Sequence, residues 1–147
     1  MNDITRRLLF LPGLSGGADA ALLALRIVVG AFLILGVWDN IQSPARMTEF
    51  AGFLAQHGFA MPELMAPLSV WAQFLCGLAF LLGLFTRWAG LICAFNFVVA
   101  LIMVDAALGV RGAFPSAMLV LAGFCLATLG AGRLSIDAAL TRTTPSA

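Results

Sequence analysis

Four stretches of the chain are almost unbroken runs of apolar side chains: Ala20 to Trp38, Leu68 to Phe85, Trp88 to Ala106 and Phe114 to Gly130. A helix needs about 20 such residues to cross the hydrocarbon of a bilayer. Each run therefore predicts a membrane span, the fourth at the short end of the range. Spans two and three are separated only around Phe85-Thr86-Arg87. That break leaves room for a tight turn, with Thr86 placed to cap the third helix, so the two spans are expected to form an antiparallel hairpin. The one substantial polar interval, Asn40 to Pro67, contains SPARMTEFAGFLAQHG. Met47, Phe50 and Leu54 share one face there, Ser43 suits an N-cap, Pro44 the first helical position and Gly58 the stop. A short amphipathic helix follows, either resting on lipid or folded over the outer mouth of the bundle. Its short stripe favours the lid.

Composition agrees with the pattern. Hydrophobic residues make up 62% and charged residues 10% of the 147, with a mean hydropathy of +1.04. Soluble domains carry about a quarter charged residues, and so few charges cannot cover this much apolar surface. The fold class is all-α: an integral membrane four-helix bundle in a single domain over residues 1–147. A net charge of +1 without a basic stripe excludes nucleic acid as a partner.

Arginine placement gives the direction of insertion. All eight cations are arginines. With both termini inside, Arg6, Arg7, Arg26, Arg87, Arg133 and Arg142 lie on the cytoplasmic side, and only Arg46 and Arg111 outside. That asymmetry satisfies the positive-inside rule. The outer side then holds four carboxylates, Asp39, Glu49, Glu63 and Asp105. Ile4 to Leu11 is expected to lie on the inner face as a short interfacial helix rather than to form part of a cleaved signal. The polar tail from Arg133 is expected to fray.

Candidate chemistry is sparse. No zinc, P-loop, dinucleotide or nucleophile–base pattern is present, so no catalytic residue and no metal ligand set is assigned. His57, Met61 and Met65 recur every four residues like a soft-metal face, but Gly58 and Pro62 break the helix that would align them. Cys76, Cys93 and Cys125 lack C-x-x-C spacing and read as soft core residues, with a thiol redox pair as the alternative. Gln73 and Asn96 stand out as amides deep inside spans two and three. With Thr86 as the hairpin apex they lie about 19 and 15 Å above it, close enough to bridge. Cys76 falls at the height of Asn96. Ala72, Cys76, Ala79 and Gly83 form a small-residue groove beside them, and Gly123, Ala127 and Gly130 form a shorter one on span four. The amides are either interhelical glue or the head of a small pocket in the outer half, with Gln73, Asn96, Cys76, Asp39 and Trp71 around it, suited to a quinone headgroup. Arg26 sits two turns inside span one. Facing inward near Phe85–Arg87, it would lock helix one to the hairpin, with Arg87 and Gly83 as further structural residues.

The succession LRIVVGAFLILGVWDNI, FLAQHGF and AQFLCGLAFLLGLFTRWAGL, closing with GAGRLSID, resembles the DoxX family of small four-span bacterial membrane proteins. The likeness runs from about Leu22 to Asp137. Its most specific parts are Arg26 with Gly30 and the Gly83-Leu84-Phe85-Thr86-Arg87 turn. The resemblance implies a multi-pass protein of the bacterial cytoplasmic membrane, in a family named for a subunit of a thiosulfate:quinone oxidoreductase. Gln73 stands where the family commonly carries Glu, and Gly36-Val37-Trp38-Asp39-Asn40 where span one often ends with His-Gly and Lys. Losing that acid and base favours binding or assembly over catalysis. The leading expectation is an accessory subunit of a membrane redox system with quinone as its candidate ligand. A ligand-free assembly factor and a thiol/quinone oxidoreductase subunit are the alternatives. Membrane lipid, a redox-enzyme partner and a second copy of the chain are the candidate partners.

Overall fold

The computed structural model describes Thr5 and residues 11–142. Its helices are α1 (Ala18–Gln42), α2 (Pro44–Gln56), α3 (Pro62–Leu82), α4 (Thr86–Met103), α5 (Gly109–Leu129) and α6 (Ile136–Arg142), with 3-10 turns at Pro12–Gly17 and Asp105–Leu108. No strand occurs among the described residues. Four helices, α1, α3, α4 and α5, are long and apolar enough to cross a membrane. The interfacial helix expected over Ile4 to Leu11 falls, apart from Thr5 and Leu11, outside the described residues.

Local chemistry sets the helix limits. Ser43 is extended (φ −126°, ψ 114°) because the residue before a proline is pushed out of the α region. It thereby ends α1 and caps α2, its Oγ accepting from the Arg46 N–H at 3.4 Å. At the other end of α3, Gly83 takes φ +65°. The Leu84 N–H reaches the Ala79 carbonyl (3.0 Å) and the Gly83 N–H the Phe80 carbonyl (3.2 Å), a Schellman closure.

The four spans form a ring in the order α1, α3, α4, α5, with α1 also touching α5. Their shared core holds Leu33, Phe80, Cys93 and Leu126, all almost fully buried. Val28, Leu35, Phe95 and Ile102 are by contrast 68–74% exposed, the surface of a bundle solvated by acyl chains rather than water. Two glycine crossings bring backbones together. A Cβ on Gly30 would lie 2.8 Å from the Gly77 carbonyl, joining α1 to α3, and one on Gly90 would lie 2.6 Å from the Gly123 carbonyl, joining α4 to α5. The stripe expected on span four is thus in use at Gly123 and Ala127. On α3 the closest approach is made by Gly77, one position beyond the expected groove.

Helix α2 uses up its apolar stripe inside the protein. Ala51 and Leu54 are buried with Ala66, and Met47, Phe50, Phe59 and Met65 pack around them. It lies against the start of α3 and the end of α1.

Candidate functional site

The amides meet, but through a third residue. Ser69 Oγ donates to Asn96 Oδ1 (2.9 Å), and Gln73 Nε2 donates to Ser69 Oγ (3.2 Å). Ser69 lies one turn before Gln73 on the same face of α3, the i,i+4 relation that makes helix neighbours, and sequence reasoning passed over it. Gln73 and Asn96 are half-buried at the α3–α4 seam. Cys76 is elsewhere: its Sγ donates to the Ala89 carbonyl at 3.4 Å. Ser69–Asn96 and Cys76–Ala89 are both symmetric about the Leu82–Gly83 junction. The hairpin therefore turns at Gly83 rather than Thr86, and Asn96 faces Ser69 instead of the height of Cys76. Trp71 is 47% exposed, edge-on to Phe74 with ring centres 5.7 Å apart. Asp39 is exposed near the C-terminal end of α1. The seam thus joins Gln73 and Asn96, and leaves Cys76, Trp71 and Asp39 apart from them.

A denser polar site lies at the opposite end of the bundle, where α1 begins and α5 ends. Arg26 is 1% exposed. Its Nε donates to the Phe80 carbonyl at 2.8 Å, and its Nη1 to the carbonyls of Ala131 (2.6 Å) and Leu134 (2.9 Å). One guanidinium thereby ties α1 both to the C-terminus of α3 and to the chain leaving α5. Those carbonyls carry the negative end of a helix and of a bend, where a cation is favoured. Gly83 lies against the guanidinium: a Cβ there would fall 2.5 Å from Arg26 Nη2. Arg26 thus faces inward onto the end of α3, and its bonds reach beyond the hairpin to the chain after α5.

The chain after α5 does not fray through Arg142. Residues 131–137 form a strap that returns across the hairpin, its last two residues opening α6. The strap carboxylate of Asp137 accepts from the N–H groups of Phe85 (2.8 Å) and Thr86 (3.0 Å), and the Asp137 N–H donates to the Gly83 carbonyl (2.9 Å). Helix α4 is therefore capped from 51 residues away. Thr86, expected to cap it, sits in the first turn fully buried, its Oγ1 without a partner among the described residues. Phe85 takes the cap position at φ 51° with no side-chain bond of its own. On α1, Asp19 Oδ1 accepts from the Arg133 N–H at 2.7 Å. Arg87 Nη1 donates to the carbonyls of Ala127 (2.9 Å) and Thr128 (2.6 Å), closing the exposed end of α5.

Replacing Asp137 by alanine is expected to remove the α4 cap and release the strap, costing about 2 kcal/mol. Asn at the same position, with one acceptor oxygen, should recover about half. Chemical denaturation in detergent reads both values; equal stability of wild type and Asp137→Ala would contradict the cap.

Elsewhere, Cys76 and Cys93 are buried in the core, as expected of soft packing residues, while Cys125 is exposed. His57 Nδ1 donates to the Phe53 carbonyl at 2.9 Å, with its ring 4.3 Å from that of Phe53. Asp105 accepts from buried Ser116 across the end of α4, so it is half-buried rather than a freely solvated helix-end carboxylate.

A family model described as DoxX matches residues 21–106, from α1 through the end of α4. No curated protein and no solved structure matches the chain.

Proposed function

Because the chain belongs to the DoxX family of small membrane proteins, we propose that it is an accessory subunit of a membrane redox system that holds a quinone-headed lipid at the α3–α4 seam. The observation that carries this reading is the leftover hydrogen-bonding capacity there. After the Ser69 bridge is made, Asn96 Nδ2 and Gln73 Oε1 have no partner among the described residues, and both side chains remain half-exposed within a span. Unpaired amides facing hydrocarbon cost about 1–3 kcal/mol each. A quinone carbonyl accepts from an amide NH2, and a quinol hydroxyl donates to an amide oxygen, so one ligand can engage both groups in either redox state. The seam offers no group that ionises near neutrality, and the thiols of Cys76 and Cys93 are closed inside the core. The residues suit holding rather than transforming the ligand. The arginine asymmetry supports insertion in a bacterial cytoplasmic membrane with both ends inside.

Titrating decylubiquinone while following tryptophan fluorescence tests the reading. Saturable quenching of Trp71 and Trp38 is expected, with affinity falling about three- to tenfold in Gln73→Leu and again in Asn96→Leu. An identical titration curve in both variants would remove the seam as a site.

A further inference from the structure

At the end of the bundle that carries the strap, an open groove of about 690 Å³ runs between the start of α1, the hairpin, the end of α5 and α6. Leu22, Phe85, Trp88 and Leu129 give it apolar walls. Phe85 and Trp88 are 68% and 69% exposed, and an exposed tryptophan at the end of a span is a side chain favoured at the headgroup layer.

The charged lining is Asp19, Arg87, Arg133 and Asp137. The two carboxylates are already turned onto backbone N–H groups, Asp137 onto Phe85 and Thr86 and Asp19 onto Arg133. The two arginines keep capacity. Arg87 spends only Nη1, on the end of α5. Its guanidinium is held against Gly130, where a Cβ would lie 3.3 Å from Nη2. The exposed Nε–Nη2 edge has no partner among the described residues. The Arg133 side chain is 78% exposed and reaches Asp19 only at 4.0 Å. Behind the strap lies the buried Arg26, close enough to Asp137 for the two charges to act on each other. With Arg26 counted, the described residues here hold three guanidiniums against two carboxylates, an excess of one positive charge.

We propose that this groove binds the headgroup of an anionic phospholipid. Its phosphodiester meets the free edge of Arg87 beside Arg133, and its upper acyl chain lies along Leu22, Trp88 and Leu129. A phosphodiester supplies two oxygens to a guanidinium edge and one negative charge. A zwitterionic headgroup would bring its own cation and leave the imbalance in place.

Native mass spectrometry of the full chain in detergent, titrated with phosphatidylglycerol or phosphatidylcholine of matched acyl chains, tests this. The expected result is at least one retained phosphatidylglycerol, with about a fivefold loss of affinity in Arg133→Gln. Arg87→Lys, which keeps the charge without the two-pronged edge, should lose a similar factor. Arg111→Gln, at the opposite end of the bundle, should lose nothing. Arg133→Gln leaves every hydrogen bond described above in place, so its result does not depend on a variant that misfolds. Equal binding of the two lipids by the wild type, or undiminished preference in both Arg133→Gln and Arg87→Lys, would overturn the proposal. Displacement of the lipid by an equal concentration of glycerol phosphate would assign the groove to a free phosphate and overturn it as well.

Discussion

Arg26→Ala should lower stability by about 3–5 kcal/mol, one of the two largest losses expected of any single substitution in this protein. The side chain is 1% exposed and its three hydrogen bonds end on backbone carbonyls that cannot move independently. Truncation takes a charged donor from all three: the Phe80 carbonyl keeps the Gly83 N–H, while those of Ala131 and Leu134 lose the guanidinium, a buried carbonyl left unpaired costing about 1–3 kcal/mol, with local relaxation and water entry recovering part. It also opens a cavity beside Gly83. Lysine should restore less than half, because one ammonium nitrogen cannot reach carbonyls that the guanidinium contacts from separate nitrogens. Unfolding titrations in mixed micelles read the difference. Arg46→Ala is the comparison: Arg46 pairs with Glu49 at 3.1 Å with both side chains more than 60% exposed, and its loss should change stability by less than about 1 kcal/mol.

The second large effect is at the α4–α5 crossing. Gly90→Ala places a Cβ 2.6 Å from the Gly123 carbonyl and 2.7 Å from the Ala127 nitrogen. Both are backbone atoms of a regular helix, so the two helices must part. A loss of about 2–3 kcal/mol is expected from the methyl alone, and Gly90→Leu should exceed it. In Gly36→Ala the added methyl meets nothing within 4 Å, and the better helix propensity of alanine should raise stability by up to about 1 kcal/mol. The opposite signs at two glycines within membrane helices separate close packing from helix propensity. Loss of equal size at both would contradict the crossing.

Spans, hairpin, the short helix α2 and an inward Arg26 are legible because each is written in local pattern: apolar length, a short break, a Ser-Pro start, one cation within an apolar run. What escaped depends on residues distant in the chain or on a small angular choice. Thr86 satisfies the local rule for a cap, yet Asp137 supplies the cap from another segment. No local rule connects residues 51 positions apart. The apolar run continues to Phe85, which puts the expected turn at Thr86. Gly83, by entering the left-handed region, ends α3 three residues earlier and slides the opposing helix by seven residues, roughly two turns. That slide replaced Cys76 by Ser69 as the neighbour of Asn96. Gly77 was missed for a related reason. The small-residue stripe on α3 is broad, and only the position of Gly30 on α1 decides which edge of it comes closest. The tail from Arg133 looked polar enough to fray, but its aspartate and its carbonyls were the partners that the hairpin and Arg26 required.

Arg26 and Asp137 never touch in sequence, yet the strap makes them one device: the guanidinium holds Ala131 and Leu134, and this hold keeps the aspartate on the start of α4. Amide hydrogen exchange at Phe85 and Thr86, compared between wild type and Arg26→Gln, tests that linkage most directly. Both amides should be protected in the wild type and should exchange quickly in the variant, while the amides of Ala51 and Leu54 within α2 keep their protection. Unchanged protection at Phe85 and Thr86 once the guanidinium is gone would contradict it.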